Sequence, residues 1–147
     1  MITEKDFEGE LLEILVSNKF CDQLTYASCD TDECILVYAD KNIQVTNVDL
    51  DNDESCFEFK KIDSPDRTVF SYVIRPAENE HIVFKKFYYD SDELPKGIKF
   101  RWDESYFTVF TVWGNLILTK SIIDLTEEDE YDELPEYDPS ELIICTQ

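Results

Sequence analysis

The spacing of hydrophobic positions changes once along this chain, after about residue 19. Up to that point apolar residues recur three or four positions apart, which is the period of an amphipathic helix. The residues that follow this period are Phe7, Leu11, Ile14 and Leu15. Thr3 stands at a helix-cap position, with Asp6 three residues later as a variant capping box. This part of the pattern predicts one helix over about residues 4–19.

From about residue 24 to residue 123, β-branched and aromatic residues form short alternating runs separated by turn residues, and this pattern predicts a β-meander. Its predicted strands are Leu24–Cys29, Cys34–Ala39, Asn42–Val48, Ser55–Lys61, Thr68–Arg75, His81–Tyr89, Ile98–Trp102, Tyr106–Trp113 and Leu116–Ile123. The connections at Asp40–Asn42, Pro76–Asn79 and Gly114–Asn115 are so short that they favour antiparallel neighbours.

The predicted fold class is therefore α+β. We expect one N-terminal helix followed by a mainly antiparallel, strongly curved sheet or partly closed barrel of about eight or nine strands. A length of 147 residues fits a single domain, residues 1–147. Within it, residues 126–140 are predicted to form an acidic loop, and the apolar run that follows predicts a C-terminal strand over about residues 141–146.

Charge is the most unusual property of the sequence, because 34 acids and 13 bases give a net charge of −21. Residues 1–60 hold 15 acids and 4 bases, residues 61–120 hold 9 of each, and residues 121–147 hold 10 acids and no base. A field of this sign repels nucleic acid and anionic membranes at long range and attracts basic proteins. We therefore expect a basic protein partner, with no direct contact to nucleic acid or membrane.

Two acidic sets are the predicted contact sites for that partner. Alternate residues of an extended chain lie about 6.6–6.8 Å apart on one face. That spacing is about two phosphate steps along a DNA strand. Carboxylates in such rows therefore resemble phosphates, and interleaved tyrosines add contact area. The predicted partner-binding residues are Asp49, Asp51, Asp53, Glu54, Glu127, Glu128, Asp129, Glu130, Tyr131, Asp132, Glu133, Glu136, Tyr137 and Asp138. The alternative interpretation is that both sets are solvated loops.

Candidate reactive residues are few. His81 is the only histidine and has no nucleophile or carboxylate cluster at a suitable spacing, so a strand-edge role is favoured. Cys29 and Cys34 have the spacing of half a zinc site, but no second close pair exists, and buried thiols are favoured. Asp49–Asp53 matches the first ligand positions of a calcium-binding loop. The match ends there, because Glu54 stands where the loop needs Gly and Lys60 stands where it needs the bidentate Glu. We predict no catalytic residue, metal or cofactor.

The neutral middle of the chain alternates basic with aromatic residues. The bases are Lys85, Lys86, Lys96, Lys99 and Arg101, and the aromatics are Phe84, Phe87, Tyr88, Phe100 and Trp102. Such interleaving is found in surfaces that bind single-stranded nucleic acid. Strand alternation explains it more simply, with aromatic side chains directed inward and basic ones outward. The outward bases are then available to pair with the acidic segments.

The cellular compartment is predicted from the N-terminus and the cysteines. The first residues carry acids where a secretory signal has basic residues, and no apolar stretch approaches 18 residues. Five cysteines are an odd number without a disulfide-framework pattern. We expect a cytoplasmic protein.

These observations favour a non-catalytic acidic protein that inhibits or sequesters a basic, nucleic-acid-handling protein by mimicking nucleic acid. In size and charge the chain resembles small phage and mobile-element proteins that block restriction enzymes or RNA-guided nucleases, although the resemblance covers no alignable motif. One alternative is an immunity protein that neutralises a cognate bacterial toxin. Others are a small β-scaffold enzyme with a carboxylate site, or a structural component of a symmetric oligomer.

Overall fold

A computed structural model of the protein describes residues 2–17, 28–31, 33–49, 55–89, 95–112, 115–121 and 145–146. The strands are β1 (Glu10–Ser17), β2 (Ser28–Thr31), β3 (Glu33–Tyr38), β4 (Asn42–Asp49), β5 (Ser55–Ile62), β6 (Phe70–Ile74), β7 (Ile82–Tyr89), β8 (Pro95–Trp102), β9 (Ser105–Val112), β10 (Asn115–Ser121) and β11 (Cys145–Thr146). Two single 3-10 turns, Glu4–Phe7 and Arg67–Val69, complete the described elements.

The fold is largely β. Neighbouring strands follow the order β2-β10-β9-β8-β7-β1-β3-β4-β5, and every described pair is antiparallel. Eight of these strands contain six or more residues, and within the described part of the chain they form an open sheet that does not close into a barrel. β6 lies beside β1, and its other edge pairs with β11.

The predicted N-terminal helix is wrong. Thr3 and Asp6 do interact, since the Thr3 backbone N–H donates to the Asp6 carboxylate at 2.8 Å, but they begin only the 3-10 turn. Gly9 then adopts a φ of +108°, which lies outside the helical region and which glycine tolerates. The strand β1 begins at the next residue. The described fold is therefore largely β rather than clearly α+β.

The helical spacing arises because β1 is buried on both faces and contains a bulge. Leu11 and Ile14 both belong to the main hydrophobic core, whereas Leu15 packs in a second cluster on the opposite face. The register with β3 shifts between Leu11 and Glu13, so one extra residue separates the two core positions. A bulged strand with apolar residues on both faces imitates the three-and-four spacing of a helix.

Most predicted strands agree with the structure within a few residues. The prediction for the Pro76–Asn79 connection, however, is wrong. It does not join antiparallel neighbours, because β6 and β7 do not pair with each other. β6 pairs with β1 through Ile14 and Ile74, whereas β7 pairs with β1 through Leu11 and Ile82. Since both are antiparallel to β1, the two strands run in the same direction along one edge of β1.

The curvature of the sheet brings β5 against β8 and β9 around an aromatic core. Phe7, carried by the first 3-10 turn, lies at the centre of this cluster and is fully buried. Its ring centroid is 5.0 Å from that of Phe59 and 4.8 Å from that of Phe87. The Tyr38 hydroxyl donates a buried hydrogen bond of 2.9 Å to the Phe7 carbonyl. These contacts tie the first turn to both halves of the sheet.

Candidate interaction surfaces

Nearly all the predicted partner-binding residues lie outside the described residues. Asp49 is the last residue of β4 and pairs with Ser55, the first residue of β5, so residues 50–54 connect those two strand ends. Outside the described residues lie Asp51, Asp53, Glu54, Glu127, Glu128, Asp129, Glu130, Tyr131, Asp132, Glu133, Glu136, Tyr137 and Asp138. Their role stays a prediction.

The charge of the chain is divided unequally between the described sheet and the other segments. The described residues contain 16 acids and 12 bases, whereas the remaining residues contain 18 acids and a single base, Lys19. The described strands by themselves hold 6 acids and 8 bases, so the surplus negative charge belongs to the sequence outside them.

Several acids of the sheet are already paired with bases. Glu13 on β1 forms an ion pair with Arg67, and its second oxygen lies 3.4 Å from Arg75. Asp6 accepts from Lys61 at 2.6 Å, and this interaction lowers the pKa of Asp6. These pairs join β1 and the first turn to β5 and the segment around β6.

His81 precedes β7 and is exposed. Its Nδ1 lies 2.5 Å from the Glu10 carboxylate, and its backbone N–H donates to Asp103 at 3.1 Å. The hydrogen bond to Glu10 raises the pKa of His81. His81 therefore links the beginnings of β1 and β7 to the β8–β9 turn.

Cys34 is a residue of the main core. It is fully buried on β3, and burial raises the pKa of its thiol, so the neutral form is stabilised. A thiol that stays protonated is a poor zinc ligand, because metal ligation requires the thiolate. Within the described ranges no group of three or more His, Cys, Asp or Glu side chains is arranged to hold a metal ion.

The outer face of β7, β8 and β9 carries a groove of about 490 Å³ that we call the basic groove. Its lining residues are Lys85, Lys86, Lys99, Arg101 and Tyr106. The opposite face of the same strands packs into the core through Phe87, Phe100 and Trp102. This arrangement agrees with the predicted alternation for Phe84, Phe87, Phe100 and Trp102, but the prediction for Tyr88 is wrong, because its ring lies on the outer face, 4.9 Å from the Lys86 Nζ.

A β-bulge in β7 explains how two consecutive lysines line one groove. Phe84 pairs with Phe100 and Lys86 with Lys99, so Lys85 is an extra residue with no partner on β8. Phe84 and Phe87 are three positions apart and would point to opposite faces of a regular strand. With the bulge, both pack against the core. The sequence contains the lysine pair, but no sequence signal marks the bulge.

Tyr106 on β9 is flanked by two cations. The Lys99 Nζ lies 4.9 Å from the Tyr106 ring centroid, and the Arg101 Cζ lies 4.6 Å from it. Cross-strand pairing of Arg101 with Tyr106 places these side chains together. Among the described residues, no carboxylate lies within 4.0 Å of the charged nitrogens of Lys85, Lys86 or Arg101.

Within the described residues, no helix has the length and apolar character needed to cross a membrane. No family model matches the chain, and no curated protein or solved structure matches it either. Function is therefore inferred from charge and geometry.

Proposed function

We propose that the chain is a non-catalytic binding protein that occupies or sequesters a basic, nucleic-acid-handling protein. The contacts would be made by the two acidic sets, residues 49–54 and 127–138, which we call the acidic segments. The observation that supports this most directly is the division of charge. The described strands have 6 acids and 8 bases, whereas the rest of the chain has 28 acids and 5 bases. Concentrating carboxylates in connecting segments costs stability through self-repulsion, and a basic partner would remove that cost on binding.

The described strands support the proposal by fixing where one acidic segment begins and ends. The paired residues Asp49 and Ser55 hold the two ends of residues 50–54 at one end of the β4–β5 hairpin. Four of the five residues in that connection are Asp, Asn or Glu. Carboxylates anchored in this way meet a cationic surface without first ordering a long free chain, which lowers the entropic cost of binding.

The first test compares two sets of charge-removing substitutions in the full chain. One variant carries Glu127→Gln, Glu128→Gln, Asp129→Asn, Glu130→Gln, Asp132→Asn and Glu133→Gln. The matched control removes the same charge from exposed acids of the described residues, one on β5 and five between strands or before β1, through Glu8→Gln, Asp40→Asn, Glu58→Gln, Asp63→Asn, Glu78→Gln and Glu104→Gln. Immobilised proteins are incubated with lysate at about 0.05 M and about 0.5 M salt, over which the screening length falls roughly threefold.

The expected result is retention of a basic protein at low salt by the unmodified chain and by the control, with loss from the first variant and at high salt. The retained protein is then identified, and its nucleic-acid binding is measured with and without the chain. Equal loss in both variants would contradict presentation by the acidic segment. A single indispensable acid, with the others neutral, would indicate an enzyme site instead.

A further inference from the structure

The basic groove carries charge opposite in sign to that of the acidic segments. Its four cations come from two neighbouring strands, and its fifth lining residue is an aromatic side chain on a third. We propose that the groove binds the phosphate groups of a small phosphorylated ligand.

The arrangement concentrates positive charge on one face of the sheet. Lys86 and Lys99 are directly paired across β7 and β8, where like charges destabilise a sheet. Arg101 follows Lys99 on the same face two residues later, and the bulge adds Lys85 beside Lys86. A bulge that places a further positive charge here concentrates charge rather than dispersing it. Such departures from regular pairing are frequent next to functional sites.

The number of cations favours phosphate over carboxylate. A phosphate monoester carries a charge of about −1.5 to −2 at pH 7 and offers three acceptor oxygens. Arg101 offers a planar set of donors suited to two of these oxygens, and lysine ammonium groups supply point charges around them. A single carboxylate would neutralise only about one of the three cations Lys85, Lys86 and Arg101, which form no ion pair with a carboxylate of the described residues.

The dimensions and the charge of the molecule favour a small ligand. A volume of about 490 Å³ falls within the range of about 300–1,000 Å³ typical of small-molecule sites. It exceeds the space that one phosphate needs, so an oligophosphate or a phosphate ester fits better. Charges are screened over about 10 Å at 0.1 M salt. A small ion in the groove therefore interacts mainly with nearby charges, whereas a long polyanion extends over more of a chain with a net charge of −21 and is repelled.

The test measures binding of tripolyphosphate to the full chain by titration calorimetry and by amide chemical shifts. A dT oligonucleotide and an oligoglutamate peptide are titrated in parallel, and they distinguish a nucleic-acid backbone and a carboxylate ligand from a small phosphate. The variants are Lys86→Gln, Arg101→Gln and the pair Lys85→Gln with Lys86→Gln. Lys60→Gln serves as the matched control, since Lys60 is an exposed lysine on β5 that does not line the groove.

We expect tripolyphosphate to bind the unmodified chain and Lys60→Gln equally. Each single groove substitution should weaken binding by about tenfold, the effect of one lost charge-assisted hydrogen bond. In the unmodified chain the shift changes should centre on Lys85, Lys86, Gly97, Lys99 and Tyr106, which locates the site even if a variant folds poorly.

Three results would overturn the proposal. The first is no binding of tripolyphosphate at millimolar concentration, and the second is equal weakening by Lys60→Gln. The third is tighter binding of the oligonucleotide or the oligoglutamate than of tripolyphosphate, which would assign the groove to nucleic acid or to an acidic peptide. None of these outcomes bears on the acidic segments, so this proposal fails or stands separately from the proposed function.

Discussion

The two faces of β7 and β8 share one backbone but differ in composition and in exposure to solvent. The inner face is aromatic, and Phe100 and Trp102 are 0% and 1% exposed. The outer face is basic and, except for Lys99, at least partly accessible. Inner positions are constrained by burial, since each must fill space left by its neighbours. Outer positions are less constrained, since Lys85 and Lys86 are exposed and, of the residues lining the groove, only Lys99 is buried, beside the Tyr106 ring.

The bulge at Lys85 connects the two faces, and removing it is the strongest way to break the comparison. Deleting Lys85 should leave Phe84 and Phe87 two positions apart on one face of a regular strand, so we expect a loss of less than about 2 kcal/mol in the free energy of unfolding. Deleting Glu58 from β5, whose pairing with β4 has no irregularity, should reverse the faces of all residues beyond it. Phe57 and Phe59 would then face opposite sides, and we expect a loss of more than about 5 kcal/mol.

Urea denaturation followed by circular dichroism measures both deletions. Similar losses in the two would show that the β7 bulge is required for the core and is not only a means of presenting Lys85.

A substitution on the inner face should be the next largest effect. Phe100 is fully buried, and its ring centroid lies 6.1 Å from that of Phe84 and 6.2 Å from that of Phe107. Phe100→Ala should cost about 3–5 kcal/mol of unfolding free energy, because the cavity cannot fully collapse. On the outer face, Lys86→Gln should change it by no more than about 0.5 kcal/mol. Comparable midpoint shifts for the two in urea would mean that the faces do not differ as described.

A hydrogen bond at the other end of the core gives an intermediate effect. The Tyr38 hydroxyl donates to the Phe7 carbonyl at 2.9 Å, and burial raises the pKa of Tyr38. Tyr38→Phe leaves that buried carbonyl without its donor and should cost about 1–3 kcal/mol. The loss is measured by thermal and urea unfolding. A neutral Tyr38→Phe would indicate that the first turn is held by the packing of Phe7 alone.

The smallest predicted effect concerns pH. The pKa of His81 is raised by its hydrogen bond to Glu10, so the pair stabilises the fold fully below the unfolded pKa of about 6.5. That contribution is lost as pH rises through the raised folded pKa. Both side chains are largely exposed, so the change is small. Because His81 is the only histidine, an NMR titration reads its pKa directly, and Glu10→Gln should lower it. A folded pKa at or below 6.5 would contradict the pairing.

The alternation of apolar and polar residues predicted the strands well where one face is buried and the other is exposed to solvent. β4 and β5 were expected at Asn42–Val48 and Ser55–Lys61 and extend only one residue further. Alternation failed for β1, because a strand buried on both faces and interrupted by a bulge loses the period of two. It also missed that β6 and β7 lie along one edge of β1, since the length of a connection does not reveal which strand occupies the space between.

The candidate sites were predicted to different degrees. The outward direction of Lys99 and Arg101 followed from alternation, but their convergence with Lys85 and Tyr106 depends on a bulge and on cross-strand register, which local sequence does not encode. The acidic sets were predicted from charge alone. Only the backbone of Asp49 lies in the described strands, so those sets remain predictions.

The position of β1 has a consequence for how the protein is made. One edge of β1 pairs with β3, which is close in sequence, but its other edge waits for β6 and β7, with Glu10 pairing to Val83. During synthesis that edge stays exposed until Val83 has left the ribosome, and such an edge is a template for association with other chains. Closing so large a loop also slows folding. This interior strand is thus synthesised well before the strands that complete its pairing.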